Sequence, residues 1–382
     1  MTLHRRIKVL TLQAAERAGL FSRVGKSRWR QNRLLILCYH GVALADEEQW
    51  SDVHISESRL RSRFEMLRSE RCSLLALDEA LERLSAGDLP PRSVTVTFDE
   101  GLYDFYAKAH PLVREFEIPT TLYVPTYYAT LQRPIFDLAC SYVLWRGRGK
   151  VVESETLLPS QKRYEIPVAA APRYALHLAI RAHANSAGYS ALEKDAMLAE
   201  LAHQIGLDWD AFLSSRMLQL MSPNELSALD RRLVSVQLHS HRHRTPRNEP
   251  LFMREIDDNI DALAAMGFPR TGRRHFCYPS GDADPMFYPW LEARGIVSAT
   301  TCEPRLATRD THPLDLPRVI DTMALADVEF RAWTAGVSAF IPRRRFRIAD
   351  SERLEWDGPR ESVRSAAAEG DAASSARSPV TD

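Results

Sequence analysis

The sequence has no Cys-x-x-Cys pair, and its five cysteines, Cys38, Cys72, Cys140, Cys277 and Cys302, are odd in number and widely spaced. Free thiols in a reducing compartment fit that pattern best. It also lacks an apolar run of signal-peptide or membrane-spanning length, because Arg5, Arg6, Lys8, Glu16 and Arg17 interrupt the first stretch repeatedly. A cytoplasmic protein is the expectation. Nor is there an excess of either charge: 50 lysines and arginines face 50 aspartates and glutamates, so nothing global points to nucleic acid or to an acidic tail. No internal repeat is visible. What remains is ordinary globular composition, 45% hydrophobic and 26% charged over 382 residues, enough for one large core with a modest accessory region.

The charge is nevertheless uneven. Residues 1–33 carry nine basic side chains against the single acid Glu16. Leu3, Ile7, Leu10 and Ala14 recur at helical spacing there, which predicts a basic amphipathic helix. Such a helix could rest on an anionic membrane surface, giving peripheral contact with the inner membrane face, or dock on the domain's own core.

From Leu34 onward, short apolar runs alternate with helical stretches. Strands are predicted at 34–39, 93–98, 120–124, 233–238, 275–278 and 297–301, and helices at 58–70, 78–84, 110–116, 253–266 and 285–294. Strand-then-helix order predicts an α/β fold with a parallel sheet, closed as a barrel or open as a doubly wound layer. The rhythm breaks at about 130–220, where helices at 174–183 and 191–203 are the clearest pieces of a helical insertion. Residues 346–382 are poor in apolar side chains and predict a disordered tail, leaving 34–345 as the main domain.

Three strands end in residues that suggest chemistry. Val94 to Phe98 stops at the adjacent carboxylates Asp99 and Glu100, then Gly101. Neighbouring side chains at a strand end point different ways, so one acid can bind a metal while the other takes a proton from the metal's water. The plainer alternative is a pair of solvated acids capping the next helix. After the strand at 233–238 come His239, His241 and His243. The outer two, four apart, can converge on one ion at about 2.1 Å if the segment turns, whereas a short histidine tract can also be a surface run. The strand at 275–278 stops at Pro279, Ser280 and Gly281, a loop able to present backbone N–H groups to an oxyanion. In a parallel barrel these three ends share one rim.

Thr97-Phe98-Asp99-Glu100-Gly101 and His239-Ser240-His241-Arg242-His243 together resemble the motifs of the polysaccharide deacetylase family, also called NodB-like or carbohydrate esterase family four: Thr-Phe-Asp-Asp-Gly and His-Ser/Thr-x-x-His. The likeness covers roughly residues 34–342. It implies a distorted (β/α) barrel with fewer than eight repeats and metal-dependent removal of N-acetyl groups from amino-sugar glycans. By position, Asp99 is the general base, and Glu100, His239 and His243 hold one divalent metal, expected to be zinc. A backbone N–H near Ser280 receives the oxyanion, and Tyr278, His40 and Arg318 are expected to face the carbohydrate substrate. Trp50, Tyr103, Tyr127, Tyr128 and Trp145 are loop aromatics that could stack on sugar rings, though such residues more often fill cores.

Three departures from the family pattern stand out. Glu100 replaces the metal-binding aspartate with a side chain one methylene longer. Cys277 stands where an arginine is often found, so another residue must orient Asp99. No late Leu-x-His supplies a general acid; Leu316-Pro317-Arg318 is the nearest feature. A weakened, carbohydrate-binding pseudoenzyme, an O-acetyl esterase on the same scaffold and a purely structural protein are the competing expectations. Without a leader, the expected substrate is a glycan precursor met inside the cell.

Overall fold

Leu35–Tyr39 and Ser93–Phe98 are buried at every position. Strands with both faces covered belong inside a parallel sheet, where helices lie over them. The computed structural model, which describes residues 3–51, 53–158 and 162–341, shows that sheet. In spatial order its strands are Ser298–Thr300, His275–Cys277, Val234–Leu238, Thr120–Val124, Ser93–Phe98, Leu35–Tyr39 and Val319–Ile320, with Ser73–Leu74 added beside Ser93–Phe98. Each pairing is parallel.

The two edges are drawn together by one stretch of chain. Leu316 bridges Thr300 in parallel, with Leu316 N–H donating to Ala299 O at 2.9 Å, and three residues later Val319 pairs with Leu37. The sheet thus curls into a distorted (β/α) barrel. The six strands expected from apolar runs are present within a residue or two at each end, while Val319–Ile320 and Ser73–Leu74 are too short to leave a pattern. Helices such as Glu57–Ser69, Leu77–Ala86 and Glu249–Ala265 cover the outside, with Ser56 and Asn248 capping two of them.

The N-terminal helix, Leu3–Arg17, departs from expectation in the direction of its apolar stripe. It docks on the helix Asp327–Ala335 through Val9, Leu12 and Ala15, which meet Val328, Ala332 and Ala335. Lys8 Nζ lies 2.8 Å from Glu329, and Arg331 pairs with Glu16. The predicted stripe points the other way: Ile7 is 53% and Leu10 63% exposed, with Ala14, Arg6 and Arg17 exposed beside them. Periodicity identifies a face but not which of two faces turns inward.

Between Thr120–Val124 and Val234–Leu238 the chain leaves the barrel. Helices Phe136–Arg146, Ala170–Ser186 and Ala191–Gln204, with an antiparallel strand pair Val151–Glu153 and Arg163–Glu165 that the sequence did not reveal, enclose a separate apolar cluster around Cys140, Leu144, Ile180, Leu201 and Phe212. This unit returns to the barrel through bridges from Pro134 to Gln219 and Leu102 to Leu220. Residues 342–382, including the expected tail at 346–382, lie outside the described residues.

Candidate active site

Because the strands run parallel, Asp99, His239 and Tyr278 all leave the sheet at one end of the barrel. The backbone turns sharply there: Glu100 and Gly101 have φ of 71° and 63°, Ser240 and His243 55° and 54°, and Ser280 57°. Left-handed geometry costs a non-glycine residue roughly 1–2 kcal/mol. It persists where surrounding contacts impose it, commonly at functional sites. At position 101 only glycine fits, since a Cβ would sit 2.9 Å from Val124 Cγ2.

The turn at Glu100 sends the two carboxylates apart. Glu100 Oε1 lies 2.9 Å from His243 Nε2 and 3.6 Å from His239 Nε2. His239 Nδ1 is 2.9 Å from the Cys277 carbonyl, which can only accept, so Nδ1 carries the proton and Nε2 presents a lone pair toward Glu100. Behind it the fully buried Asn259 accepts from the His239 N–H at 3.0 Å and donates to Val124 O and Thr126 Oγ1. Buried Glu255 accepts from the Arg242 N–H at 2.8 Å and from Arg244 Nε at 2.7 Å, fixing the histidine loop from below. His241 points away, its Nδ1 2.8 Å from Thr126 Oγ1.

The donor atoms of Glu100, His239 and His243 lie within 4.8 Å of one another. Burial would raise the Glu100 carboxyl, but His243 and His239 outweigh it and hold the group well below the usual carboxylate range. One anionic oxygen and two imidazole nitrogens fit a divalent cation of the zinc type. Two other groupings, Cys38–His40–Asp99 and Asp99–His239–Cys277, fit less well. Burial pushes both thiols well above their ordinary range, and Asp99 is already occupied.

The occupant is Arg318. Its Nη1 and Nη2 donate to Asp99 Oδ1 and Oδ2, each at 2.7 Å, while Nη1 also donates to Thr97 Oγ1 and Nε to Thr301 O, both at 3.0 Å. Arg318 has no exposed surface. The expectation that it faces substrate therefore gives way: placed just before the strand Val319–Ile320, it grips Asp99 across the barrel, where Cys277 offers no guanidinium. Tyr278 is also withdrawn from the substrate side, its ring in the core at 0% exposure and its hydroxyl donating to Leu314 O at 3.0 Å. His40 does line the site, partly exposed, with Nε2 3.7 Å from Asp99 Oδ2. Ser280 sits in the turn Pro279–Gly281 on the same rim, half-buried.

No family model matches the chain. The poly-beta-1,6-N-acetyl-D-glucosamine N-deacetylase of Staphylococcus aureus is 28% identical over 112 residues, which are 26% of this chain and 39% of that protein. The Staphylococcus epidermidis enzyme of the same name is 24% identical over 112 residues. Among solved structures, the Streptococcus pyogenes deacetylase PplD in complex with acetate superposes with a TM-score of 0.51 at 14% identity, covering 81% of this chain and 99% of that one. Over those 112 residues the chain is similar to polysaccharide deacetylases. Its fold is the NodB-like distorted barrel, and the match spans about two fifths (39%) of the length of the curated relatives.

The residues that sequence reasoning missed are those acting across the barrel. Asn259, Glu255 and Thr126 support the histidines, yet each sits in an ordinary helix or loop with no motif around it. Arg318 was visible in the sequence, but only as a residue expected to face the substrate.

Proposed function

We propose that this chain is a metal-dependent hydrolase that removes N-acetyl groups from an amino-sugar glycan. The observation that carries the reading is the meeting of Glu100, His239 and His243 beside an arginine-gripped Asp99. The substituted Glu100 reaches both histidines despite its extra methylene, which supports a working site over a lost one.

Glu100, His239 and His243 would hold a divalent cation, which when bound would supply Lewis acidity toward the acetyl carbonyl and a water. The chain's own groups do the rest. Asp99, kept ionised by Arg318, takes the proton from the attacking water. The backbone N–H of Ser280, in the Pro279–Gly281 turn, receives the developing oxyanion. Among the described residues, His40 is the imidazole that touches Asp99 from outside the metal set, so it is placed to pass a proton to the leaving amine.

The test is acetate release from N-acetylglucosamine oligomers by metal-loaded protein, expected to vanish in Asp99→Asn. Release from O-acetylated but not N-acetylated sugars would move the assignment to an esterase. The outward apolar stripe of the N-terminal helix, Ile7 and Leu10 between Arg6 and Arg17, supports peripheral contact with an anionic membrane. Among the described residues no helix is long and apolar enough to cross one.

A further inference from the structure

The loop that carries the histidines and the turn that carries Ser280 start from neighbouring strands. Phe276 pairs with Leu238, and His239 Nδ1 is 2.9 Å from the Cys277 carbonyl. Beyond that point the two segments leave the sheet separately, one through His243 and the other through Ser280, each on left-handed backbone. They meet again on the rim. Thr245 Oγ1 donates to Asp282 Oδ2 at 3.3 Å, Arg247 Nη1 donates to Asp284 Oδ2 at 2.6 Å, and Arg247 Nη2 lies 3.6 Å from Asp282 Oδ1.

Both ends of this bridge are themselves anchored. Arg247 stands next to Asn248, whose side chain accepts from the Leu251 N–H at 3.1 Å and caps the helix Glu249–Ala265. Asp284 Oδ1 accepts from the Met286 N–H at 3.0 Å, so its own segment holds one carboxylate oxygen and Arg247 holds the other. Asp282 directly follows Gly281, the last residue of the turn, and Gly281 packs so closely on Cys302 that a Cβ would sit 3.0 Å from Cys302 Cβ. The three charged side chains are partly exposed, where an ion pair adds little to stability. Their contribution is to geometry.

We infer that Arg247 is a positioning residue, which with Thr245 couples the histidine loop to the Ser280 turn, so that loading the Glu100–His239–His243 site also fixes where the Ser280 N–H stands. The inference rests on the deacetylase reading. In that reading the histidine loop and the Ser280 N–H serve the same carbonyl, and a misplacement of about 1 Å can cost roughly a hundred-fold in rate. The contact between His239 and the Cys277 carbonyl lies before either segment turns, so it leaves the two tips unlinked. A guanidinium suits the position because its planar fork can face two carboxylates at once, whereas an ammonium is a point charge.

The experiment uses the full chain with and without zinc, and the variants Arg247→Met, Arg247→Lys and Asp284→Asn. In zinc-loaded Arg247→Met, kcat on an N-acetylglucosamine pentamer is expected to fall about ten-fold, with KM within about two-fold, and with metal content and melting unchanged. Arg247→Lys should recover part of kcat. Arg247→Met combined with Asp284→Asn should be no worse than the more damaging single change, because both break one bridge. Hydrogen exchange reads the coupling without turnover: zinc should slow exchange at residues 239–243 and 280–286 in wild type, and at 239–243 alone in Arg247→Met. An unchanged kcat, or zinc-dependent protection of 280–286 that survives in Arg247→Met, overturns the coupling. Loss of the ion in Arg247→Met also overturns it, since the bridge would then support the histidine loop alone. If wild type takes up zinc but releases no acetate, the deacetylase reading fails and hydrogen exchange by itself decides the coupling.

Discussion

Arg318 and Asp99 stand 219 positions apart in sequence and are joined by two N–H···O bonds of 2.7 Å in the sealed floor of the site. A bidentate guanidinium–carboxylate pair fixes both orientation and charge. Removing one partner of a buried pair typically costs 3–5 kcal/mol because the other is left uncompensated. Arg318→Met should therefore lower the melting temperature by several degrees and abolish most acetate release, whereas Arg318→Lys, which keeps the charge but not the fork, should recover stability more than rate. Equal activity in wild type and Arg318→Lys would remove the orienting role.

The same pair sets a pH limb. Burial works to raise the Asp99 carboxyl, but Arg318, His40 and His239 outweigh it and hold it well below the usual carboxylate range. A carboxyl depressed in the folded state contributes stability above its unfolded pKa, lost only as pH falls through the folded value. Wild-type rate should show no acid limb from Asp99 at pH 5–8, and Arg318→Met should bring one into that window. A rate profile of the same shape in both proteins would contradict this.

A second pH effect lies beside the site. Burial, aided by His40, pulls His54 from its ordinary 6.5 to about 3, and the residue is 1% exposed. A histidine depressed in the folded state binds fewer protons than its unfolded counterpart, so stability falls as pH drops below 6.5, by up to about 1.4 kcal/mol per unit. Melting measured at pH 7 and pH 5 should show a drop that His54→Gln diminishes.

Gly101→Ala tests the turn that separates the two acids. Its Cβ would meet Val124 at 2.9 Å on a left-handed backbone, so a loss of about 1–2 kcal/mol is expected together with weaker metal binding. Unaltered melting and metal content would show that the turn relaxes freely.

For the N-terminal helix, Ile7→Glu with Leu10→Glu should leave melting unchanged, because both side chains are exposed, and should abolish co-sedimentation with anionic vesicles. Wild type that never co-sediments would end the membrane proposal.

Much of this was legible in the residues. The runs Val94 to Phe98 and Val234 to Leu238 read as strands because their apolar side chains recur at every second position toward the core, and the acids and imidazoles after them mark the rim where strands end. What was not legible depends on contacts between distant positions. Arg318 reads as one more arginine until the closing strand brings it under Asp99, and Val319–Ile320 is too short to show a period. Tyr278 was expected to face substrate, but its ring is buried in the core and its hydroxyl donates to Leu314 O, 36 positions away in sequence.

The most direct measurement is metal stoichiometry taken together with acetate release, on wild type, His239→Ala and Glu100→Gln, with N-acetylglucosamine oligomers as substrate. The site described here predicts about one zinc-type ion per wild-type chain, its loss in both variants, and acetate from wild type alone. Wild-type protein that holds no ion under metal-replete conditions, or a His239→Ala variant that keeps both ion and turnover, would contradict it.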